Sequence, residues 1–268
     1  MRVDAGGIDL NYDIAGSGTP LVLTHGLGDD LHFWDGVVPA LAEHHRVLRW
    51  DVRGFGLSDK PAGPYSPALL ARDLAGLLDA LAVEQAHVGG LSMGGVIAQR
   101  FALDYPRRVR SLILVSTSSE VGPRGTANWQ RLADTIEQHG FGSGARDASR
   151  AFSPGFAAAH PEIVAAAGKQ TARNHPPSYA AAARAMSDYQ WTAELSRIRV
   201  PVLILQGLAD QLTPPGGSVK MQRALPAARL LMLPDTGHSL PIEQPAVFSA
   251  ALLGFTGGVD AAAQLCAH

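Results

Sequence analysis

Cysteine is almost missing from this sequence. The one example, Cys266, lies close to the C-terminal end, so a disulfide framework and a cysteine-based metal site are both excluded. No run approaches the ~18 apolar residues of a membrane span. The opening "MRVDAGGIDL" lacks the apolar stretch of a signal peptide, so a cytoplasmic protein with no membrane partner is expected. Basic charge is not in excess either. Lys and Arg total 22 against 24 Asp and Glu, for a net charge of −2, and with no basic stripe nucleic acid is not an expected partner. There is no G-x-x-x-x-G-K-[ST] and no H-E-x-x-H. "GFGSG" (140–144) follows no strand-like run and lacks a third glycine at dinucleotide spacing, so neither a cofactor nor a metal is expected. Charged residues make up only 17% of the chain and hydrophobic ones 46%, which rules out disorder of the whole chain. A length of 268 residues suits one large α/β domain carrying an insertion.

What is present is a set of short apolar runs. "PLVLTHG" (20–26), "RVLRWD" (46–51), "AHVGGLS" (86–92), "SLILVST" (111–117), "VPVLILQG" (200–207) and "ARLLMLP" (228–234) mostly lack alternation, as strands buried on both faces do. Before them, Ile8, Leu10, Tyr12 and Ile14 alternate with polar or small residues, the period of a half-buried strand. Helical spacing lies between the runs. Leu70, Leu74, Leu77, Leu78 and Leu81 share one face of 67–83, with Ser66 as its N-cap. A second helix is expected from Gly94 or Gly95 to about Tyr105, and a third from Pro245 towards Phe255. Strand–helix alternation implies a mostly parallel, doubly wound sheet. The stretch 120–194 has no strand-like run and is too long for a loop, so it reads as a helical cap inserted over the sheet's C-terminal edge. The core is then 1–119 with 195–256, and 257–268 reads as a loosely held tail.

"GGLSMGG" (89–95) puts four glycines around one serine between a strand and a helix. Gly90-x-Ser92-x-Gly94 in that setting is the pattern of a nucleophile elbow, whose tight turn demands small residues two positions either side of the serine. Ser92 is then forced into a strained backbone conformation with its hydroxyl held out from the sheet. Serine needs a base, and the base an orienting carboxylate. Asp210 follows the strand "VPVLILQG" and His238 follows "ARLLMLP", so both fall on loops at the same sheet edge as Ser92. Asp235 and Glu120 are the other candidate acids. Two oxyanion donors are expected: the backbone N–H of Met93 at the helix start, and that of Leu27 in "HGLG" (25–28). His25 reads as structural. "DVRGFGLSD" (51–59) reads as a glycine-rich loop pinned by an Asp51–Arg53 contact.

From "THGLG" through "DVRGFGLSD", "GLSMGG" and "LQGLADQLTPP" to "DTGHS", the chain resembles the α/β-hydrolases over residues 7–256. Within them it is most similar to bacterial carboxylesterases and 3-oxoadipate enol-lactonases, on "DLHFWD", "GPYSPALLARDLAGLLDAL" and "SPGFAAAHPE". The resemblance implies Ser92 as nucleophile, Asp210 as acid, His238 as base, and Leu27 and Met93 as oxyanion donors. It implies a serine hydrolase of small carboxylic esters, with a lactonase as the alternative. A carbon–carbon bond hydrolase, a cofactor-free haloperoxidase and a hydrolase-fold ligand sensor stand further off. The expected partner is a small ester or lactone. Among the aromatics of the insertion, Trp129, Phe152, Tyr179 and Trp191 are expected to line its pocket, while Arg124, Arg131 or Arg173 could hold one carboxylate.

Overall fold

Six of the apolar runs become strands of one eight-stranded sheet, joined by two polar-edged strands at the N-terminus. The computed structural model describes residues 1–142 and 147–265, so Cys266 and the end of the 140–144 glycine stretch lie outside it. The strands are β1 (Arg2–Asp4), β2 (Asp9–Ala15), β3 (Thr19–Thr24), β4 (His45–Trp50), β5 (Ala86–Leu91), β6 (Val109–Val115), β7 (Val202–Gly207) and β8 (Ala228–Leu233), in the order β1-β2-β4-β3-β5-β6-β7-β8. β1 and β2 pair antiparallel, as do β2 and β4; every later pair is parallel.

The helices that cover the sheet are α1 (Val38–Ala42), α2 (Pro67–Ala80) and α3 (Met93–Asp104), then α4 (Pro123–His139), α5 (Pro154–Ala159), α6 (Pro161–Ala172) and α7 (Pro176–Ala185) in the insertion, and finally α8 (Gly216–Ala224), α9 (Leu240–Glu243) and α10 (Pro245–Leu265). Successive strand residues enter opposite cores. Val22, Leu48, Leu112 and Ile204 pack with α2 and α3, while Leu21, Val47, Ile113 and Leu203 pack with α1 and α10. That is why these runs do not alternate. β8 differs, because as the outermost strand it is covered on fewer sides and leaves Arg229 and Leu231 exposed.

α2 starts as its sequence demands. Ser66 Oγ accepts the Leu69 N–H at 3.2 Å, and Pro67 fills the first helical position. Ser66→Ala should lower stability by about 1 kcal/mol in a denaturant titration.

Two expectations need correcting. Residues 257–265 are not a loose tail but the continuation of α10, held by Asp260, whose carboxylate takes the His87 Nε2 at 3.1 Å and the Arg110 Nε at 2.5 Å. Ala-rich sequence read as slack is here a helix tied to the starts of β5 and β6. His45, His87 and Asp260 bring potential ligand atoms within 4.8 Å of one another, yet Ser111 occupies His87 Nδ1 and Thr256 occupies His45 Nε2, so they serve as a polar clasp. Burial pushes His87 down to about 4, keeping it neutral. α10 is also, by length and composition, apolar enough to cross a membrane, although Phe248, Leu252 and Phe255 turn inward to the core. The second correction concerns Arg53. It pairs with Asp73 on α2, not with Asp51. Asp51 instead accepts from Leu31 N–H, Leu57 N–H and Asn11 Nδ2, at 2.7, 2.8 and 2.8 Å, and so ties its own loop to β2 and to the turn at Leu31.

The insertion is clipped at its neck. Glu120 bridges Gln190, with Val121 N–H on Tyr189 O and Trp191 N–H on Ser119 O. Its helices lie over the loops that leave the C-terminal ends of the strands.

Candidate active site

At the end of β5 the chain reverses into α3 through Ser92, whose backbone is left-handed at φ 55° and ψ −115°. A non-glycine residue there carries strain on the order of 1–3 kcal/mol, so neighbours must enforce it. They do: Ser92 N–H donates to Val115 O at 2.9 Å, and Ser92 O accepts from Thr117 Oγ1 at 2.8 Å. The glycines make the reversal possible. A Cβ on Gly90 would stand 2.2 Å from the Gly94 carbonyl, one on Gly94 2.2 Å from Thr24 O, and one on Gly95 2.6 Å from the Thr117 side chain. Gly89 is the lenient one, its nearest neighbour a Leu23 methyl at 3.2 Å and the rest at ordinary contact distance. Three of the four glycines are thus sterically required. The helix begins at Met93, one residue earlier than its glycines suggested, and the Met93 N–H has no acceptor within the helix.

β7 and β8 deliver the other two groups. Asp210 Oδ2 lies 2.8 Å from His238 Nδ1, and both residues are buried. A carboxylate only accepts, so the proton is on Nδ1 and the Nε2 lone pair is left for the cavity. Asp210 is itself fixed, because Oδ1 takes the N–H groups of Leu212 and Thr213 at 2.8 and 2.9 Å, and Gln206 Nε2 reaches Oδ2 at 3.2 Å. The two other candidate acids are elsewhere. Glu120 binds Lys220 Nζ and Thr192 Oγ1, and Asp235 sits in a left-handed turn at φ 49°.

Facing Ser92 is the loop after β3. His25 is buried, with Nδ1 on Gly26 O at 2.7 Å and Nε2 accepting the Val52 N–H at 3.0 Å; burial lowers its pKa and it holds the loop as a neutral ring. From above, Asn174 Nδ2 donates to Gly28 O at 2.7 Å. A Cβ on Gly28 would come 3.1 Å from Tyr179, so the cap rests directly on this loop. Leu27 is thereby held on the wall of the same cavity as Ser92 and His238.

Ser92 stands between two cavities. One, of about 100 Å³, is walled mainly by Leu27, Phe33, Phe152, Tyr179 and Ile242 and contains His238; it is on the order of what accepts a benzene-sized group. The other, of about 280 Å³, runs past Met93, Thr117, Trp129 and Tyr189. Of the four expected pocket aromatics, Phe152 and Tyr179 fall in the first cavity and Trp129 in the second. Trp191 is in neither. Its indole N–H donates to Gln99 Oε1 at 3.2 Å and its ring packs on Tyr189, so it anchors the neck of the insertion. Arg173 is exposed on an outer cavity, and Arg131 lines a separate groove.

Sequence reasoning missed the residues that brace these groups. Gln206 links Asp210 to Ser218, and Glu243 clamps Gly237 N–H and Ser153 N–H, joining the His238 loop to the cap. Nothing in their spacing marks them: Gln206 is buried in β7 with its amide turned on the Asp210 loop, and Glu243 reaches Ser153 from far along the chain.

A family model described as the α/β-hydrolase fold matches residues 19–245. The chain belongs to the α/β-hydrolase family. Among its relatives is an Azorhizobium caulinodans protein named "Putative carbamate hydrolase RutD", 32% identical over 95% of this chain and 97% of the relative. Another is 3-oxoadipate enol-lactonase 2 of Acinetobacter baylyi, 30% identical over 91% and 92%. A solved thermophilic esterase from Thermogutta terrifontis superposes with a TM-score of 0.91 at 31% identity, covering 97% of this chain and 99% of that one. The eight-stranded sheet with its helical insertion is the hydrolase fold that the sequence motifs implied, and the protein is a hydrolase of that fold.

Proposed function

We propose that this hydrolase cleaves small carboxylic esters through an acyl-enzyme on Ser92. Ser92 Oγ attacks the ester carbonyl while His238 Nε2 takes its proton, and Asp210 holds the imidazole and stabilises the imidazolium. The developing oxyanion is received by the N–H groups of Leu27 and Met93, the latter at the positive end of α3. His238 then protonates the departing alcohol, and on the return half-reaction it activates water, which releases the acid and frees Ser92. The observation that carries this reading is the buried Asp210–His238 bond of 2.8 Å, on the wall of the cavity that contains the left-handed Ser92. Relatives named as an esterase and an enol-lactonase support it. A lactone is a cyclic ester and needs the same steps, so it is the second reading.

The two modest cavities favour short substrates. Initial rates on p-nitrophenyl acetate, butyrate, octanoate and palmitate should peak at acetate or butyrate. A peak at palmitate would contradict the size argument. No hydrolysis above a Ser92→Ala background would remove the simple-ester reading and leave lactones, carbamates and carbon–carbon bonds as the substrates to try. Leu27 contributes through its backbone, so Leu27→Met should change kcat/KM for the acetate by less than about threefold. A loss of two orders of magnitude would show that the side chain itself is needed.

A further inference from the structure

Asp29 is not used by this mechanism, yet its carboxyl lines the same cavity as Ser92 and His238. It also lines an outer cavity of about 390 Å³ that shares the walls Phe33, Ala167 and Ile242 with the inner one. Asp29 therefore stands at the waist between the two. The backbone brings it close to the chemistry. Asp29 N–H donates to Gly26 O at 3.3 Å, and a Cβ placed on Gly26 would lie 3.1 Å from Asp29 Oδ2 and 3.6 Å from Ser92 Cβ. Among the described residues, no hydrogen-bond donor reaches the Asp29 carboxyl. Its neighbour Asp30 is fully committed, to His32 N–H at 2.9 Å and Gln170 Nε2 at 2.7 Å.

The charged groups around Asp29 come from every side of the waist. His238 and the exposed Asp147 line the inner cavity with it, and Asp30 follows it in the chain. On the outer cavity are His32, Lys169 of α6 and Arg173 at the C-cap of that helix, all three exposed. Burial pushes Asp29 up to about 7; His238 works against that shift and Asp30 adds to it.

We propose that Asp29 is a specificity-determining residue that rejects esters and lactones carrying a carboxylate at the waist and favours neutral ones. The proposal rests on the ester-hydrolase reading above and narrows its substrate class. A substrate reaching from Ser92 towards the outer cavity must pass Asp29. Below neutral pH the side chain is an uncharged hydrogen-bond donor and tolerates an anion. Above it, the carboxylate opposes any second carboxylate in a site partly shielded from water, where like charges repel more strongly than in bulk. Lys169 and Arg173 attract anions at any pH, but from exposed positions where solvent and salt screen them. Lactones that retain a free carboxylate, such as 3-oxoadipate enol-lactone, would then be poor substrates at and above neutral pH.

The test compares kcat/KM for diethyl adipate and monoethyl adipate, from about pH 5.5 to about pH 8.5, in the wild type and in Asp29→Asn. Taking the ratio of the two esters within each variant cancels any titration of the catalytic groups. The wild-type preference for the neutral ester should grow about tenfold or more across that range, and in Asp29→Asn it should stay within about threefold. The same pH-dependent ratio in both proteins, or a flat ratio in the wild type, overturns the proposal while the esterase reading stands. Failure of the wild type to hydrolyse either ester in a Ser92-dependent way would overturn both. If Asp29→Asn does not fold, Asp29→Ser removes the charge equally and is read in the same way.

Discussion

Ser92→Ala is expected to lower kcat on a short p-nitrophenyl ester by about 10⁴-fold or more, with KM changed by no more than about threefold. The reason lies in the division of labour within the site. In the proposed mechanism substrate contacts come from the cavity walls around Phe33, Phe152 and Tyr179, which the substitution leaves in place. The bond-forming oxygen, in the proposed mechanism, comes from Ser92 alone. His238→Ala should cost about as much, because Ser92 Oγ without a base is a weak nucleophile at neutral pH. The double variant should be scarcely slower than either single one, since groups that act as a unit are not additive. Activity of Ser92→Ala within tenfold of wild type would refute the assignment. Steady-state kinetics on the three variants, with circular dichroism to check folding, decides it.

The largest effect on stability should come from Gly94→Ala, at about 3 kcal/mol or more. The added methyl would stand 2.2 Å from Thr24 O and 2.7 Å from His25 O, both backbone atoms at the end of β3. Neither can rotate away as a side chain would. Either α3 lifts off the sheet or the chain leading to Leu27 moves, and both separate the Leu27 and Met93 N–H groups proposed as oxyanion donors. A fall in Tm of about 6–12 °C is expected for a protein of this size. Activity should drop further than the folded fraction does. Gly89→Ala is the control, its nearest neighbour a Leu23 methyl that can shift, and should cost about 1 kcal/mol or less. Equal effects of the two substitutions would show that the elbow is not as tight as its geometry implies.

Much of the candidate site is legible in the sequence because its geometry is written in the backbone. A strand that must turn into a helix within one residue leaves glycines where atoms would collide, and Gly90 and Gly94 mark Ser92 for that reason. Asp210 and His238 follow the same logic, as each comes directly after a strand of a parallel sheet. What could not be read depends on contacts made across the fold. Nearness in the chain suggests Asp51 for Arg53, but its partner is Asp73, twenty positions on and brought alongside by α2. Only its chemistry points Trp191 to the pocket, and aromaticity says nothing about which side of the insertion a ring faces. The end of α10 looked slack because alanines give no periodicity, and its anchor Asp260 meets partners far away in sequence. Asp29 was invisible for a different reason. "GDD" in a loop is the usual form of a solvated turn, and only the cap above it makes Asp29 a wall of the inner cavity.

The account stands on Ser92 forming a covalent acyl-enzyme. Treating the protein with a fluorophosphonate, which phosphonylates activated serines irreversibly, and mapping the adduct by mass spectrometry tests this most directly. Labelling of Ser92 in step with loss of esterase activity, slowed strongly in His238→Ala and absent in Ser92→Ala, is the predicted result. Labelling at another residue, or ester hydrolysis that continues after Ser92 is fully modified, would contradict it.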